Sequence, residues 1–341
     1  MATIRDVAQY ARVSVGTVSN VLNGSPLVRE ETRARVLSAM KVLNYHPKAA
    51  ARTLSTQRTN TIGMVRTELR PGNPLTETDP FILDLIDGIS NAAVESGTGL
   101  TFWTIPVGDG ELELYRRVVL GRQVDGLILF ALRQNDPRIA FLRETDFPFV
   151  VFGHDGLDER VHWLDVDGTY GIQLAVRHLA DLGHQRIGYI APPSEQYLAK
   201  QRWQGFVNGM SECSLTIDEN LLYEGDFTER SGERGAAYLL EQPHPPTAII
   251  CNNDRMAFGA MRAIQSRGLE VGRDVSVVGF DDITLAAYYH PPLTTIRQPI
   301  REIGGLLFEL LQAIIAGEPL EESGRLIKPT LEIRQSTGRP A

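Results

Sequence analysis

The feature that most constrains the fold is a regular alternation of short apolar runs with helical stretches, which extends from residue 61 to residue 281. The runs of strand type are TIGMV, LTFWTI, DGLILF, FPFVVFG, RIGYIAP, TAIICNN and VSVVGFD. Helical stretches lie between them, at residues 81–96, 112–122, 168–182, 199–210, 229–241 and 256–267. Alternation at this spacing predicts parallel sheets that are covered by helices on both faces.

The alternating unit occurs twice. The runs DGLILF and FPFVVFG close one set of strands, and RIGYIAP opens a second set after a long helix. The economical interpretation is a body of two doubly wound α/β lobes with a cleft between them. In such sheets ligands bind beyond the carboxyl ends of the strands, so the cleft is the expected binding site.

The residues before this body have the pattern of an all-α helix-turn-helix head. Apolar residues recur at helical spacing over residues 4–11 and again over residues 18–22, with a break around residues 12–14. Thr3 and Ser14 stand where N-caps are expected. Helices this short cannot bury their apolar faces alone, so they must cross each other over a third helix. In a helix-turn-helix the second helix projects side chains into the DNA major groove.

A third helix and a short basic segment follow the helix pair. Residues from about 30 to 44 have an apolar stripe and begin with acidic residues, which suit the positive N-terminal end of a helix. Residues 48–56 are basic and rich in alanine, with one large apolar side chain, Leu54. Because a helix this short is marginal alone in water, we expect it to be ordered only when a partner copy or DNA holds it. A plain linker is the alternative.

The charge of the chain is divided unevenly along its length. The whole chain carries a net charge of −8. Residues 1–60 contain nine basic and three acidic side chains, a net +6, so the remaining 25 basic and 39 acidic side chains give −14. A basic head attracts phosphates, while an acidic body avoids non-specific binding to DNA.

Several classes of protein are disfavoured by what the sequence lacks. It has no apolar run of signal-peptide or membrane-spanning length, so we expect a cytoplasmic protein without membrane contact. Cys213 and Cys251 lack metal-ligand spacing and are interpreted as ordinary thiols. The motifs GxGxxG after the first strand, GxxxxGK[ST], GxSxG and HExxH are absent, so we expect neither an enzyme nor a cofactor. The competing classes are a solute-binding protein with a similar two-lobed body and a doubly wound enzyme.

Polar and aromatic residues cluster near the predicted ends of strands. These positions are Asp79 to Phe81, His154, Arg202 with Trp203, Gly225 to Phe227, Asn252 to Asp254 and Phe280 to Asp282. Carboxylate and amide oxygens accept hydrogen bonds from hydroxyls, arginine donates in a fork, and aromatic rings pack against C–H faces, which suits a polyhydroxylated ligand. The alternative is that Asp254 and Asp282 cap the following helices and the aromatic rings belong to the core.

With a helix-turn-helix head, a short Ala-rich segment and a two-lobed body in that order, the chain resembles the lac repressor/purine repressor (LacI/GalR) family of bacterial transcription regulators. The resemblance runs from residue 2 to about residue 334. Its most specific motifs are TIRDVAQYARVSVGTVSNVLNG and VREETRARVLSAMKVLNYHPKAAARTL, with further similarity in HLADLGHQRIGYI, RWQGF, PTAIICNNDRMAFGAM, DVSVVGFDD and PPLTTIRQP. It implies doubly wound sheets of periplasmic-binding-protein type.

For DNA binding, the resemblance implies three groups of contacts. The base-reading positions are Val15, Gly16 and Asn20, of which only Asn20 has a polar side chain, suited to adenine. The phosphate contacts are Thr3, Ser14, Thr17, Ser19, Asn23 and Tyr45. In the minor groove, Ala51 lies against the floor and Leu54 matches the leucine that wedges into a base step and kinks the duplex.

For a small-molecule effector, the resemblance implies contacts from Phe81, His154, Arg202, Phe227, Asn253 and Asp281. Arg202 and Asp281 would contribute opposite halves of a hydroxyl-binding network, with Phe227 as the stacking ring. Purine-binding members have arginine and threonine where this chain has Gln196 and Leu198. The set therefore resembles that of sugar-binding members.

The resulting prediction is a homodimeric regulator, a repressor, that binds a near-palindromic operator and is gated by a small molecule such as a sugar. The predicted domains are residues 1–46 for the head, 47–60 for a hinge helix and linker, and 61–341 for effector binding and dimerisation. Within the last, lobe 1 is expected at about 61–160 plus 292–323, and lobe 2 at about 161–291 plus 324–341.

Overall fold

The structure is a computed structural model that describes residues 2–22, 25–45, 58–68, 79–106, 110–133, 135–154, 160–320 and 322–340. Of the predicted DNA contacts, Asn23, Ala51 and Leu54 lie outside the described residues, as does the predicted hinge helix. No helix in the described parts of the chain is both long and apolar enough to cross a membrane.

The head contains the three predicted helices, α1 (Ile4–Ala11), α2 (Val15–Leu22) and α3 (Glu30–Val42). Both predicted N-caps are present. Thr3 forms a capping box with Asp6, and the Ser14 hydroxyl accepts a hydrogen bond from the Thr17 amide at 3.0 Å. The three helices bury one small apolar core, formed by Val7, Ala8, Ala11, Val18, Val21, Val36 and Ala39. This core explains how helices of eight residues are stable, since each buries its face against the other two.

The body contains twelve strands and eight α-helices among its described residues. The strands are β1 (Thr61–Glu68), β2 (Gly99–Pro106), β3 (Gly126–Leu129), β4 (Phe149–Phe152), β5 (Trp163–Val166), β6 (Ile187–Ala191), β7 (Leu222–Glu224), β8 (Ala248–Cys251), β9 (Ser276–Asp281), β10 (Thr294–Arg297), β11 (Gly324–Ile327) and β12 (Thr330–Glu332). The helices are α4 (Pro80–Ser96), α5 (Gly110–Leu120), α6 (Pro137–Glu144), α7 (Gly168–Asp181), α8 (Tyr197–Glu212), α9 (Glu229–Leu240), α10 (Asp254–Gln265) and α11 (Ile300–Ala316). All seven predicted strands and six predicted helical stretches of the body are confirmed.

The strands form two sheets of six. The first has the order β11-β5-β4-β3-β1-β2, and all of its pairs are parallel. The second has the order β12-β10-β9-β8-β6-β7, and only β12 is antiparallel to its neighbour. Each sheet has a separate apolar cluster on either face, so helices cover both sides and the prediction of two doubly wound lobes is confirmed.

The chain crosses between the lobes at three places, which differ from the predicted lobe boundaries. The prediction put residues 161–166 and 324–327 in lobe 2 and residues 294–297 in lobe 1. Instead, β5 and β11 pair with each other in the first sheet, and β10 pairs with β9 in the second. The crossings therefore follow β5, β10 and β11. The sheet to which each of these strands belongs is decided by hydrogen bonding between strands that are distant in sequence. The apolar pattern of a single strand does not reveal which sheet it joins.

Candidate ligand-binding site and helix-turn-helix surface

A cavity of about 160 Å³ lies between the lobes, at the carboxyl ends of strands from both sheets. Its lobe 1 side is lined by Asp79, Phe81, Ile82, Phe130, Ala131, Leu132, Phe152, Gly153, Asp165 and Val166. Its lobe 2 side is lined by Gly168, Gln196, Tyr197, Leu198, Gln201, Arg202, Phe227, Asn252, Asn253, Phe280, Asp281 and Gln298. The structure thus brings together five of the six residues predicted to contact an effector, which are Phe81, Arg202, Phe227, Asn253 and Asp281.

Arg202 projects from α8 into the cavity wall and is almost fully buried. Its guanidinium lies over the Phe280 ring, with Cζ 3.7 Å from the ring centroid, and it donates a hydrogen bond to the Asn252 carbonyl. Burial lowers the pKa of Arg202, and the nearby Asp281 carboxylate opposes this shift. The guanidinium is therefore held in one orientation, with donors left for a ligand.

Asp281 ends β9, and its Oδ1 accepts a hydrogen bond from Gln298 Nε2 at 2.7 Å. Burial raises the pKa of Asp281 well above its usual range; Asp254 adds to this shift, and Arg202 opposes it. Asp254 lies at the start of α10 and accepts hydrogen bonds from the Thr295 hydroxyl at 2.5 Å and the Ile283 amide at 2.8 Å. Burial raises the pKa of Asp254 to about 8.

Asn253 is the N-cap of α10, and its side chain is already engaged at both ends. Its Oδ1 accepts from the Met256 amide at 2.8 Å, and its Nδ2 donates to the Phe227 carbonyl at 3.0 Å. Asn253 thereby holds the Phe227 loop against α10. The cap expected from Asp254 is made instead by its neighbour. Asp282 does not cap a helix either, because it pairs with Arg297 and Arg334.

His154 is not among the residues that line the cavity, although it was predicted to contact the effector. Its ring stacks on Trp163 at a centroid distance of 4.3 Å, and its Nδ1 lies 2.8 Å from Asp165 Oδ2 and 3.0 Å from Tyr197 Oη. Asp165 and Tyr197 themselves line the cavity. His154 therefore contacts the cavity wall from outside the lining and orients Asp165 and Tyr197, which face the open volume.

Residues that the sequence reasoning missed complete the site. Asp165, Tyr197, Gln201 and Gln298 all line the cavity. Their positions relative to strands could have identified two of them. Asp165 lies in β5 and Gln298 directly follows β10, and neither strand was predicted.

Gln196 also lines the cavity, and its side-chain amide differs from the others. Gln196 is 1% exposed, and its Nε2 has no hydrogen-bond partner among the described residues. A buried donor without a partner costs free energy, and an acceptor on a ligand would satisfy it.

One rim of the cavity is closed by contacts between the lobes. The Tyr197 amide of lobe 2 donates to the Leu132 carbonyl of lobe 1 at 3.2 Å. Arg133 and Gln196 form an isolated antiparallel bridge beside it. With the Tyr197 hydroxyl next to His154, these contacts hold the lobes together on one side of the enclosed volume.

In the head, the predicted base-reading residues lie on the exposed side of α2. Val15, Gly16 and Asn20 are all exposed. Among the predicted phosphate contacts, Thr3 and Ser14 are exposed, whereas Thr17, Ser19 and Tyr45 are half-buried. The Ser14 and Thr17 hydroxyls lie 2.9 Å apart and hydrogen bond to each other. The exposed side of α2 thus presents one amide side chain, that of Asn20, among small groups.

Comparisons with known proteins match both parts of the chain. Residues 3–48 match the family model of bacterial regulatory proteins, lacI family, and residues 176–337 match that of the periplasmic binding protein-like domain. The HTH-type transcriptional repressor PurR of Aliivibrio salmonicida is 36% identical over 313 residues, which is 91% of each chain. The lac repressor dimer bound to operator and the anti-inducer ONPF superposes with a TM-score of 0.85, at 30% identity and 99% coverage of both chains. The transcriptional regulator CelR in complex with cellobiose superposes with a TM-score of 0.76, at 32% identity, covering 98% of this chain and 100% of that one.

Proposed function

Because the chain belongs to the LacI family of bacterial regulatory proteins and is a DNA-binding transcription regulator, we propose that its effector is a neutral sugar of about one ring, bound between the lobes. The relatives that it matches are repressors rather than enzymes, and we assign it the same role. A homodimer in the cytoplasm would place two heads on the half-sites of a near-palindromic operator.

The observation that carries the proposal is that Arg202 and Asp281 line the same cavity, together with aromatic side chains. The carboxylate accepts from hydroxyls and the guanidinium donates to them, so the two groups can bind adjacent hydroxyls of one ring. Phe81 and Phe227 line the same cavity and offer faces for the C–H groups of a sugar.

The charge of the lining favours a neutral ligand over an anionic one. Three carboxyl groups, on Asp79, Asp165 and Asp281, line the cavity, and Arg202 is the one basic side chain among the lining residues. Burial raises the pKa of Asp79, and the Arg255 cation opposes the shift. A phosphate or carboxylate on the ligand would find only Arg202 among the lining residues to balance its charge, whereas a hydroxyl can hydrogen bond to a carboxyl group in either protonation state.

The volume favours one ring over two. A cavity of about 160 Å³ is smaller than the roughly 300–1,000 Å³ of pockets that bind drug-sized ligands, so it suits a ligand of about one ring. A disaccharide such as the one bound to CelR would require the lobes to move apart.

A nucleobase is the second candidate effector, because the most similar relatives include PurR repressors. Against it, Gln196 and Leu198 line the cavity where resemblance to purine-binding members requires arginine and threonine. Gln196 offers an amide donor for a hydroxyl or ring oxygen, which is what a sugar supplies.

For the head, we retain the contacts implied by the family. Val15, Gly16 and Asn20 would face bases, and Thr3, Ser14, Thr17, Ser19, Asn23 and Tyr45 would hold phosphates. Ala51 and Leu54 would enter the minor groove. The exposure of the three base-facing residues supports the first assignment.

Two measurements on the full-length protein test the proposal. In the first, thermal unfolding is followed with D-glucose, D-galactose or D-ribose, with cellobiose, with glucose 6-phosphate, and with hypoxanthine or guanine. A rise of the melting temperature with a monosaccharide, by mass action, supports the sugar assignment. A rise of the melting temperature with a nucleobase and with no sugar overturns it.

In the second measurement, DNA duplexes that bind the protein are selected from a random pool. Their retardation by the protein in a gel is then compared at two salt concentrations, and failure to enrich any duplex contradicts operator binding.

A further inference from the structure

The chain enters lobe 1 at residues 58–60, immediately before β1, and three parts of that lobe hold it there. We propose that these contacts form a joint, made of Arg58, Thr59, Asn60, Asp125 and the Ile315 carbonyl, which sets the position of the connection to the head. In this proposal Asp125 is a positioning residue for specific DNA binding and for its control by the effector. The proposal rests on the regulatory function given above.

The Asp125 carboxylate is the centre of the joint. Its Oδ1 accepts from the Thr59 amide at 2.6 Å and from the Thr59 hydroxyl at 2.9 Å, and its Oδ2 accepts from the Asn60 amide at 2.7 Å. Hydrogen bonds to an ionised acceptor are stronger than neutral ones, so three of them on one carboxylate fix two consecutive residues.

These bonds extend beyond what the sheet itself requires. The Asp125 amide already donates to the Thr61 carbonyl at 2.7 Å, and β1 pairs with β3 from Ile62 onwards. The side chain of Asp125 therefore adds hydrogen bonds to Thr59 and Asn60, which precede the first strand. The pairing of β1 would be complete without it.

Two helices complete the joint from other sides. Asn60 Nδ2 donates to the Gly97 carbonyl at the end of α4 at 2.7 Å, and the Arg58 guanidinium donates to the Ile315 carbonyl in the last turn of α11 at 2.9 Å. Asn60 adopts a left-handed conformation with φ 54°, which turns its side chain and its backbone toward different partners.

Both of these helices begin at the cavity. Asp79, the N-cap of α4, lines the cavity, and Gln298, two residues before α11, lines it and donates to Asp281. Each helix has 17 residues, so each spans about 25 Å from the cavity to the joint. If ligand binding moves lobe 1 relative to lobe 2, α4 and α11 would transmit that displacement to residues 58–60 as two rigid helices.

Asp125→Asn tests the joint, because it keeps the shape of the side chain and turns one acceptor into a donor that faces N–H groups. Asp146→Asn is the matched control, since Asp146 is an exposed residue of the same lobe. The probes are a duplex selected with the wild-type protein, a random-sequence duplex, and whichever of D-glucose, D-galactose and D-ribose shifts the wild-type melting temperature most.

We expect Asp125→Asn to bind the selected duplex at least tenfold more weakly and the random duplex within twofold of wild type. Its affinity for the sugar should stay within twofold, while the effect of the sugar on binding of the selected duplex falls below twofold. Asp146→Asn should match wild type throughout. Equal losses on both duplexes, or a parallel loss of sugar affinity, would make Asp125 a general support of lobe 1 and overturn the proposal.

A second variant covers the case in which Asp125→Asn does not fold. Asn60→Gly removes the bond to Gly97 and suits the left-handed backbone, so the joint is loosened without strain. It should show the same selective loss on the selected duplex, by a smaller factor; wild-type discrimination in this variant would contradict the joint. If the wild-type protein itself distinguishes no duplex, the regulatory function fails rather than the joint alone.

Discussion

Gly88 of α4 and Gly304 of α11 bring the backbones of the two helices into direct contact. A Cβ atom on Gly88 would lie 2.1 Å from the Arg301 carbonyl oxygen, and one on Gly304 would lie 2.5 Å from the Leu85 carbonyl oxygen. Arg301 also pairs across the contact with Asp84 at 2.8 Å and Asp87 at 3.0 Å. Helices in such close contact have no room to slide past each other, so α4 and α11 move as one body.

We predict that Gly304→Ala destabilises the protein by about 1–3 kcal/mol, because the new methyl group overlaps backbone that cannot move aside cheaply. Gly305→Ala is the matched control on the same helix. A Cβ at Gly305 would meet only the Gly88 carbonyl oxygen, at 4.0 Å, so this substitution should be neutral or stabilising by up to about 1 kcal/mol. Chemical denaturation of both variants measures the difference; equal stabilities would show that the two helices can separate.

We predict that Asp281→Asn weakens sugar binding about 2- to 10-fold, because it replaces one acceptor for a ligand hydroxyl with a donor and a neutral hydrogen bond contributes about 0.5–1.5 kcal/mol. The free energy of unfolding should not fall, because burial already disfavours the ionised carboxyl, as its raised pKa indicates. Calorimetric titration of the monosaccharide that shifts the melting temperature gives the first quantity, and denaturation gives the second. Loss of stability together with affinity would indicate that Asp281 supports the fold.

We predict that Asp254 contributes a loss of stability as the pH rises from about 4 to about 8. Burial raises the pKa of Asp254 from 3.8 to about 8 in the folded protein. The folded state therefore binds a proton that the unfolded state releases near pH 4, and the stability from Asp254 is lost as the pH passes through about 8. In Asp254→Asn the amide replaces the protonated carboxyl, so the difference in stability from wild type should grow with pH over this window. Denaturation at pH 5, 6, 7 and 8 measures it; a constant difference would contradict the assignment.

The helix-turn-helix and the alternating lobes could be predicted from the sequence because their signals are local. Thr3 and Ser14 are N-cap residues that mark where α1 and α2 begin, and each predicted strand is a short apolar run between helices. By contrast, the sheet to which β5, β10 and β11 belong is set by hydrogen bonding to partner strands, and β5 pairs with β11, which is far along the chain. This is why the lobe boundaries were wrong although both lobes were recognised.

The candidate site divides in the same way. Arg202 and Asp281 lie in motifs shared with the family, Phe227 was implied by the same resemblance, and the structure places all three on the cavity. The position of His154 behind Asp165 depends on how a ring stacks on Trp163, and no spacing in the sequence encodes that contact. The role of Asn253 as a helix cap is likewise visible only once its amide is seen to bond in both directions.

We predict that direct base recognition by the head depends mainly on Asn20, the one exposed amide among the three base-facing positions. Asn20→Ala should weaken binding to a selected duplex by about 1–3 kcal/mol, the usual value of a bidentate base contact, and relax the preference at one base pair in each half-site. Binding to a random duplex should change little, because phosphates supply that affinity. Ser38→Ala, on the exposed side of α3, is the control and should bind both duplexes as wild type does. Titrations of both duplexes at one fixed salt concentration measure these affinities. If Asn20→Ala keeps the wild-type preference at every base pair, recognition depends on the shape of the duplex instead.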